Sequence, residues 1–223
     1  MIACLFDIDG TLLASGDAGK AALESAFTEV FGILLRVQIP YSGRTDRAIG
    51  RDLLRLHDVD PTEEHWVRLQ TAYLARLPDS LNQHNGRVLP GILALLQELQ
   101  KRENISIGLL TGNIRKGARV KLGHFGLFDH FAFGGFGDLH YDRDDVAREA
   151  LAAARAHLGA VMAPERIWVI GDTPLDVRCA RAIGAKVVAV ATGLHTCEQL
   201  REAAPDLALA DLSDPTPFLA LLP

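Results

Sequence analysis

The hydrophobic positions of this chain follow two patterns, and their alternation predicts an α/β protein. Short apolar runs rich in Ile, Val and Leu are typical of strands that are buried on both faces. Between them, apolar residues recur at helical spacing, as in residues 92–99 and 147–158. Such alternation indicates a parallel sheet that helices cover on both sides. The predicted strands are residues 2–6, 105–110, 131–133, 167–170 and 187–190.

The segment between residues 17 and 87 interrupts this alternation. It has no convincing strand and shows three helical stripes instead. We therefore predict an α/β core of residues 1–14 and 88–223, with an inserted helical cap domain of residues 15–87. The predicted hinges are residues 14–19 and 85–90, where Gly, Ser, Asn and Pro collect. The stripes are Leu23, Phe27 and Val30; Ile49, Leu53 and Leu56; and Trp66, Leu69, Tyr73 and Leu77.

Composition and charge narrow the classes of partner. The 223 residues suffice for one large core or a core with a smaller insertion. A net charge of −5 argues against nucleic acid as a partner, and no apolar run is long enough to span a bilayer. The three cysteines form no CxxC pair and the start of the chain lacks a basic leader, so we expect reduced thiols and a cytoplasmic protein. The oligomeric state stays open.

Candidate chemistry begins directly after the first predicted strand. Asp7 and Asp9 follow the apolar run, and Gly10 and Thr11 form the next turn. Paired carboxylates at the end of a buried strand are costly unless they bind something, and a hard divalent cation with a phosphate is the natural partner. A carboxylate can also attack phosphorus directly. These residues therefore predict phosphoryl transfer.

Further polar residues follow other predicted strands. Ligands of parallel sheets bind at the carboxyl ends of the strands, so these residues are expected to meet Asp7 there. Thr111 and the amides of Gly112 and Asn113 suit phosphate oxygens. Asp172 follows the strand at 167–170, and a basic residue is expected within 142–146.

The residue types suggest a division of roles. Asp7 can supply the nucleophile, and Asp9 can protonate the leaving oxygen and later activate water. Asp7, the backbone carbonyl of Asp9 and Asp172 can hold Mg²⁺. An Arg or Lys balances the charge of the transferred group.

This set, in this order, resembles the haloacid dehalogenase superfamily. The DxDGT run at residues 7–11, Thr111, the basic residue and the GDxxxD run at 171–176 match its four motifs. The resemblance implies a Rossmann-like, three-layer parallel core with an inserted all-helical cap. It is strongest to the phosphoglycolate-phosphatase-like subgroup. It implies a Mg²⁺-dependent phosphatase that forms an aspartyl-phosphate and acts on a small phosphorylated metabolite such as phosphoglycolate.

The third motif departs from that family's pattern, which usually has Lys. No Lys lies between Lys121 and Lys186. Arg143 is the preferred cation, because a loop or helix start at the rim of the sheet positions a cation well. Arg148, inside a predicted helix, is the alternative. Asp176 could be a ligand, a partner of a ligand or a solvated carboxylate.

The cap contributes a polar loop, Ser42 to Asp46, ahead of a helix. Arg44 could bind a substrate carboxylate and Thr45 or Asp46 a hydroxyl; the alternative is a plain capped helix start with Asp46 in the first turn. Three other functions remain open: a phosphomutase, a dehalogenase and a non-catalytic module. Asp9 and Asp172 argue against the dehalogenase, whose family pattern lacks the second Asp.

Overall fold

A parallel sheet of six strands forms the centre of the protein. The computed structural model describes residues 1–159 and 162–222, and the strand order is β5-β4-β1-β6-β7-β8. The chain winds from β1 to one edge and then from β6 to the other, so the winding direction switches beside β1. The strands are β1 (Ile2–Phe6), β4 (Ile105–Leu110), β5 (Phe133–Gly135), β6 (Ile167–Gly171), β7 (Lys186–Val190) and β8 (Leu207–Leu209).

Helices cover both faces of this sheet, as the apolar strands predict. Successive side chains of a strand point to opposite faces. Thus Cys4 and Phe6 of β1 join one hydrophobic core, whereas Ala3 and Leu5 join the other. The first core packs under α4 (Ile92–Gln100), α5 (Arg115–His124) and α9 (Thr216–Leu219); the second packs under α6 (Arg143–Leu158), α7 (Pro174–Ala182) and α8 (Cys197–Glu202).

The inserted segment is helical, with a core of its own. It contains α1 (Ala18–Phe31), α2 (Asp46–Leu56) and α3 (Glu63–Gln83). Where it joins the sheet domain, β2 (Leu13–Ala14) pairs with β3 (Arg87–Val88) in an antiparallel ribbon. The predicted hinges overlap this ribbon, since residue 14 belongs to β2 and residues 87–88 form β3. The domain boundaries at residues 14/15 and 87/88 stay a prediction.

One residue of the predicted cap stripes is misplaced. Leu56 is the last residue of α2 and is 49% exposed. His57, the next residue, takes the buried position instead, with its ring centre 5.1 Å from that of Phe27. The buried stripe therefore runs through residues 49, 53 and 57 and ends one residue later than predicted.

Two strand predictions also need correction. The strand predicted at residues 131–133 is observed two residues later, as β5 (Phe133–Gly135). Its two glycines, which the hydrophobic pattern does not mark as strand residues, lie where α6 packs directly on the strand. A Cβ on Gly135 would lie 2.4 Å from the Val146 carbonyl oxygen, so only glycine permits this approach. The edge strand β8 is only three half-buried residues, and its pattern was too short to predict.

Among the described residues, no helix is both long and apolar enough to cross a membrane.

Candidate active site

Asp7 lies at the carboxyl end of β1, where a buried arginine meets it. Its backbone N–H donates to the Ile170 carbonyl oxygen over 2.9 Å, which ties it to the neighbouring strand. The carboxylate is buried, and its Oδ1 is 3.0 Å from Nη2 of Arg143. The same nitrogen is 2.5 Å from Oδ1 of Asp176. A single guanidinium therefore bridges two carboxylates, and charge-assisted bonds of this kind fix geometry strongly.

Asp7, Asp172 and Asp176 form a buried acidic cluster. One carboxylate oxygen from each lies within 4.8 Å of the other two. Burial raises the pKa of Asp7 to about 6, although Arg143 opposes the shift. Burial, followed by repulsion from Asp176 and Asp7, raises the pKa of Asp172 well above its ordinary value. Three carboxylates around one guanidinium favour a further positive charge, so the cluster could hold a metal ion.

The DxDGT sequence shapes the space for this cluster. Gly10 has a φ of +83°, and a Cβ there would lie 2.4 Å from Oδ2 of Asp172. A Cβ on Gly193, in the loop after β7, would lie 1.8 Å from the same oxygen. The Thr11 hydroxyl donates to Oδ1 of Asp172 over 3.2 Å. Gly10 and Thr11 thus position the distant carboxylate of Asp172 beside β1.

Asp9 has a different environment from Asp7. Its Oδ2 lies 2.6 Å from the ammonium of Lys121 and accepts from Nδ2 of Asn113 over 2.9 Å. The Ser15 hydroxyl donates to Oδ1 over 3.2 Å. Burial favours a higher pKa for Asp9, but Lys121 and these hydrogen bonds outweigh it and hold the pKa below its ordinary value. Asp9 is therefore ionised in this arrangement.

The loop after β4 lies next to both carboxylates. Thr111 is fully buried, and its hydroxyl oxygen accepts from Nδ2 of Asn113 over 2.9 Å. That amide group therefore joins Thr111 to Asp9. The structure thus brings Thr111 and Asn113 together with Asp7 and Asp9, as the strand order requires.

The cap loop rests directly on this part of the core. The Asp46 backbone N–H donates to the Gly112 carbonyl oxygen over 2.8 Å, and its Oδ2 accepts from the Ile114 backbone N–H over 2.9 Å. Nη1 of Arg143 donates to the Gly43 carbonyl oxygen over 3.2 Å. A Cβ on Gly112 would lie 2.1 Å from the Arg44 carbonyl oxygen. The cap is therefore closed on the core.

A partly open cavity of about 410 Å³ lies between the cap and the carboxylates of the core. Arg44 lines it, but its guanidinium forms an ion pair with Asp52 of the cap itself. Thr45 is buried and caps α2, since its hydroxyl oxygen accepts from the Ala48 backbone N–H over 3.1 Å. The lining residues from the core include Asp7, Asp9, Asn113, Lys121 and Arg143, and those from the cap include Lys20, Leu23, Tyr41, Arg44, Asp46 and Tyr73.

Comparison with known proteins fixes the family. A family model described as haloacid dehalogenase-like hydrolase matches residues 4–190, which is most of the chain.

The chain belongs to the haloacid dehalogenase-like hydrolases.

Curated relatives of this haloacid dehalogenase-like hydrolase agree with the family match. A phosphoglycolate phosphatase from Rhodospirillum rubrum is 32% identical, with 86% of this chain and 80% of the relative covered. A phosphoglycolate phosphatase from Nitrosococcus oceani is 26% identical, with coverages of 93% and 92%. The structure of CbbY from Rhodobacter sphaeroides in complex with phosphate shares the fold, with a TM-score of 0.76, 20% identity and 96% of each chain covered. The predicted class, a phosphatase of this family in the phosphoglycolate-phosphatase-like subgroup, is confirmed.

The two candidates for the family's third-motif cation lie in different surroundings. Arg143 is buried against Asp7 and Asp176. Arg148 is exposed one turn further along α6 and pairs with Asp145 at 2.5 Å. Asp176, whose position the sequence left open, lies within the acidic cluster and also closes a capping box with Thr173 at the start of α7.

Lys121 is the site residue that the sequence analysis missed. It belongs to α5 and is only 5% exposed, although lysine is rarely buried without a partner. Burial favours a lower pKa for its ammonium, but Asp9 and Asp46 outweigh this and raise the pKa. A signal was present: Lys121 is i+4 from Gly117 and i+3 from Ala118, on the buried face of an otherwise basic helix.

Proposed function

We propose that the protein is a Mg²⁺-dependent phosphomonoester hydrolase that acts on a small phosphorylated metabolite such as phosphoglycolate. The observation that carries this proposal is the pairing of Asp7 with Arg143 beside Asp172 and Asp176, at one end of the cavity under a closed cap. The phosphoglycolate phosphatases among its relatives support the substrate class. The three cysteines are free and two of them are buried, which fits the cytoplasmic location that we also propose.

In the first step, an oxygen of Asp7 attacks phosphorus and the bond from phosphorus to the ester oxygen breaks. The leaving oxygen takes a proton from Asp9, which must be protonated for this step. The negative charge of the bound phosphoryl group favours that protonation, because it raises the pKa of Asp9 from the lowered value that Asp9 has without substrate. The product is an alcohol and an acyl phosphate on Asp7. Arg143 counters the charge that develops on the phosphoryl oxygens, because it is rigidly held 3.0 Å from Asp7.

In the second step, water attacks the same phosphorus and gives a proton to the carboxylate of Asp9. The bond between phosphorus and Asp7 breaks, which releases inorganic phosphate and restores the carboxylate. The lowered pKa of Asp9 suits this step, because the ionised form is the base. The closed cap limits bulk water near the acyl phosphate.

The remaining groups hold the phosphate and the metal ion. The Thr111 hydroxyl and the amides of Gly112 and Asn113 lie where β4 ends and can donate to phosphate oxygens. Asp7, the carbonyl of Asp9 and Asp172 are the proposed Mg²⁺ ligands, and the buried cluster with Asp176 fits a hard cation. Mg²⁺ would neutralise charge on the phosphoryl oxygens and on Asp7.

Steady-state assays with p-nitrophenyl phosphate and phosphoglycolate would test the function. We expect phosphate release that requires Mg²⁺, stops with a chelator and is abolished in Asp7→Asn. Asp129→Asn, which removes an exposed carboxylate outside the site, is the matched control and should retain full activity. Metal-dependent turnover by Asp7→Asn at the wild-type rate would overturn the proposal.

Product analysis separates the alternatives. A phosphomutase would return the phosphoryl group to its substrate and leave a long-lived phosphoenzyme, whereas a hydrolase releases one inorganic phosphate per ester. A dehalogenase would liberate halide from a haloacid without metal. A protein that turns over no ester of a broad panel would be a binding module on this fold.

A further inference from the structure

The cations that line the cavity differ in whether a carboxylate neutralises them. Arg143, Lys121 and Arg44 each form an ion pair with an aspartate. Lys20 lines the same cavity, yet no ion pair to it occurs among residues 1–159 and 162–222. Its ammonium donates to the neutral amide oxygen of Gln38 over 3.1 Å. Lys20 is therefore the cavity cation whose charge is not balanced by a carboxylate of the described chain.

The position of Lys20 places this charge on the cap side of the cavity. It is the third residue of α1, a helix of 14 residues. Its neighbour Gly19 lies against the core, since a Cβ there would be 3.0 Å from Nζ of Lys121. The first turn of a helix also favours negative charge nearby. An anion bound here would lie at the cap side of the cavity, in the neighbourhood of the Asp9–Lys121 pair.

None of the acidic groups around this part of the cavity forms an ion pair with Lys20 among the described residues. Asp46 is held by the Ile114 backbone N–H at 2.9 Å. Glu24 accepts from the Tyr41 hydroxyl over 3.2 Å. Asp17, the residue before α1, lines the cavity but is solvent-exposed and forms no ion pair with Lys20.

We propose that Lys20 is the specificity-determining residue that binds a second anionic group of the substrate, a carboxylate or a second phosphate, and this proposal rests on the proposed phosphatase function. The substrate class is then a small phosphomonoester whose far end is negatively charged. Arg44, which the sequence offers as one candidate for this role, forms an ion pair with Asp52 instead. The inference concerns binding of the far end and leaves the roles at Asp7 unchanged.

Three esters on one two-carbon scaffold would test the proposal: phosphoglycolate, ethane-1,2-diyl bisphosphate and the uncharged 2-hydroxyethyl phosphate. The wild-type protein should have a higher kcat/KM for at least one charged ester than for the uncharged one. Lys20→Met should lower that ratio by about tenfold, mainly through KM, as the loss of roughly 1.4 kcal/mol of binding requires. Lys20→Arg should restore most of it. Which charged ester shows the effect distinguishes carboxylate from phosphate.

Two matched variants sharpen the result. Lys101→Met removes a lysine that is exposed outside the cavity and should leave the ratio unchanged. If Arg44→Met lowers the ratio and Lys20→Met does not, the proposal is wrong. An unchanged ratio in Lys20→Met, with wild-type turnover of the esters intact, overturns this inference alone. Failure of the wild-type protein to hydrolyse any ester overturns the proposed function instead.

Discussion

The two walls of the cavity are built differently. On the core wall, Asp7, Asp176 and Arg143 are all less than 5% exposed and form one network of ion pairs. On the cap wall, Lys20 and Arg44 are partly exposed. The cap meets the core through hydrogen bonds of the cap loop and through apolar packing of Ile114 in the hydrophobic cluster of the cap. The core wall therefore has the rigidity and charge that phosphoryl transfer needs, whereas the cap wall offers a surface that can part from it.

Because the two walls are built differently, substitutions on them should have different effects on catalysis, stability and substrate binding. A change on the core wall leaves a buried charge without its partner, which costs both catalysis and folding. A change on the cap wall alters how a substrate is bound or covered. Substitutions on the two walls should therefore be distinguishable when kinetics and stability are measured together.

The largest effect is expected for Arg143→Met. Its removal takes away the cation beside Asp7, so kcat/KM should fall about 10³-fold, as for other groups that stabilise a charged transition state. It also leaves Asp176 buried without its partner, and the free energy of unfolding should drop by about 3–5 kcal/mol. Phosphate release and urea unfolding would measure both. The control Arg148→Met lies on the same helix, and equal losses in the two variants would contradict the assignment.

Lys121→Met should give the next largest effect. Burial acts to raise the pKa of Asp9, whereas Lys121 is the main group that lowers it. Without the ammonium, the pKa of Asp9 should therefore rise from its lowered value. The acid limb of the kcat/KM profile should then move to higher pH, and kcat should fall about 10²-fold. Lys116→Met is the control, because Lys116 is an exposed lysine on the same helix. A profile that loses amplitude without moving would mean that Lys121 does not act through Asp9.

Much of the core wall could be predicted from the sequence, and the reason is local. Each of Asp7, Thr111 and Asp172 follows an apolar strand directly, so finding the strand finds the residue. Lys121 does not follow a strand: it lies ten residues beyond Thr111, in the helix α5. That helix has four other basic residues, Arg115, Lys116, Arg119 and His124, so the sequence does not single out Lys121. Its place depends on which face of α5 meets Asp9, and only tertiary packing decides that.

The cap wall was less predictable. The polar loop from Ser42 to Asp46 does lie at the cavity. The ion pair between Arg44 and Asp52, however, depends on the direction in which α2 leaves this loop, which the sequence does not show. Lys20 directly follows the predicted hinge at residues 14–19, and no sequence pattern gave it a role. Lys20 stands out because it lacks a carboxylate partner while the other cavity cations have one. That difference depends on side chains from several helices and loops, so no short sequence motif encodes it.

Gly112→Ala should test the contact between the two walls. The added Cβ would lie 2.1 Å from the Arg44 carbonyl oxygen and 3.1 Å from Cα of Thr45, so the cap could not close as it does here. We expect kcat/KM to fall about tenfold to 10²-fold, with an increased radius of gyration in solution scattering. Gly123→Ala is the control, since a Cβ there meets nothing within 4 Å. Unchanged kinetics in Gly112→Ala would show that closure is not needed for turnover.

The smallest effect concerns Asp46, which connects the cap wall to the core by both its backbone and its carboxylate. Burial raises the pKa of Asp46 to about 6 from an ordinary value of 3.8, although Lys121 and the Ile114 N–H oppose the shift. The folded protein therefore binds the proton more tightly than the unfolded chain does, and the stabilisation is fully present below pH 3.8 and is lost as the pH rises to about 6.

Asp46→Asn removes this titration, because an asparagine keeps an acceptor oxygen for the Ile114 N–H and carries no charge at any of these pH values. The free energy of unfolding of the wild-type protein minus that of Asp46→Asn should therefore decrease between about pH 4 and pH 6, by at most about 3 kcal/mol, and then stay level. Urea unfolding of both proteins in the presence of a chelator would measure it. Asp7 and Asp172 titrate in both proteins, so their contributions cancel in the difference. A difference that grows with pH would mean that the electrostatic attraction of Lys121, rather than burial, dominates the titration of Asp46.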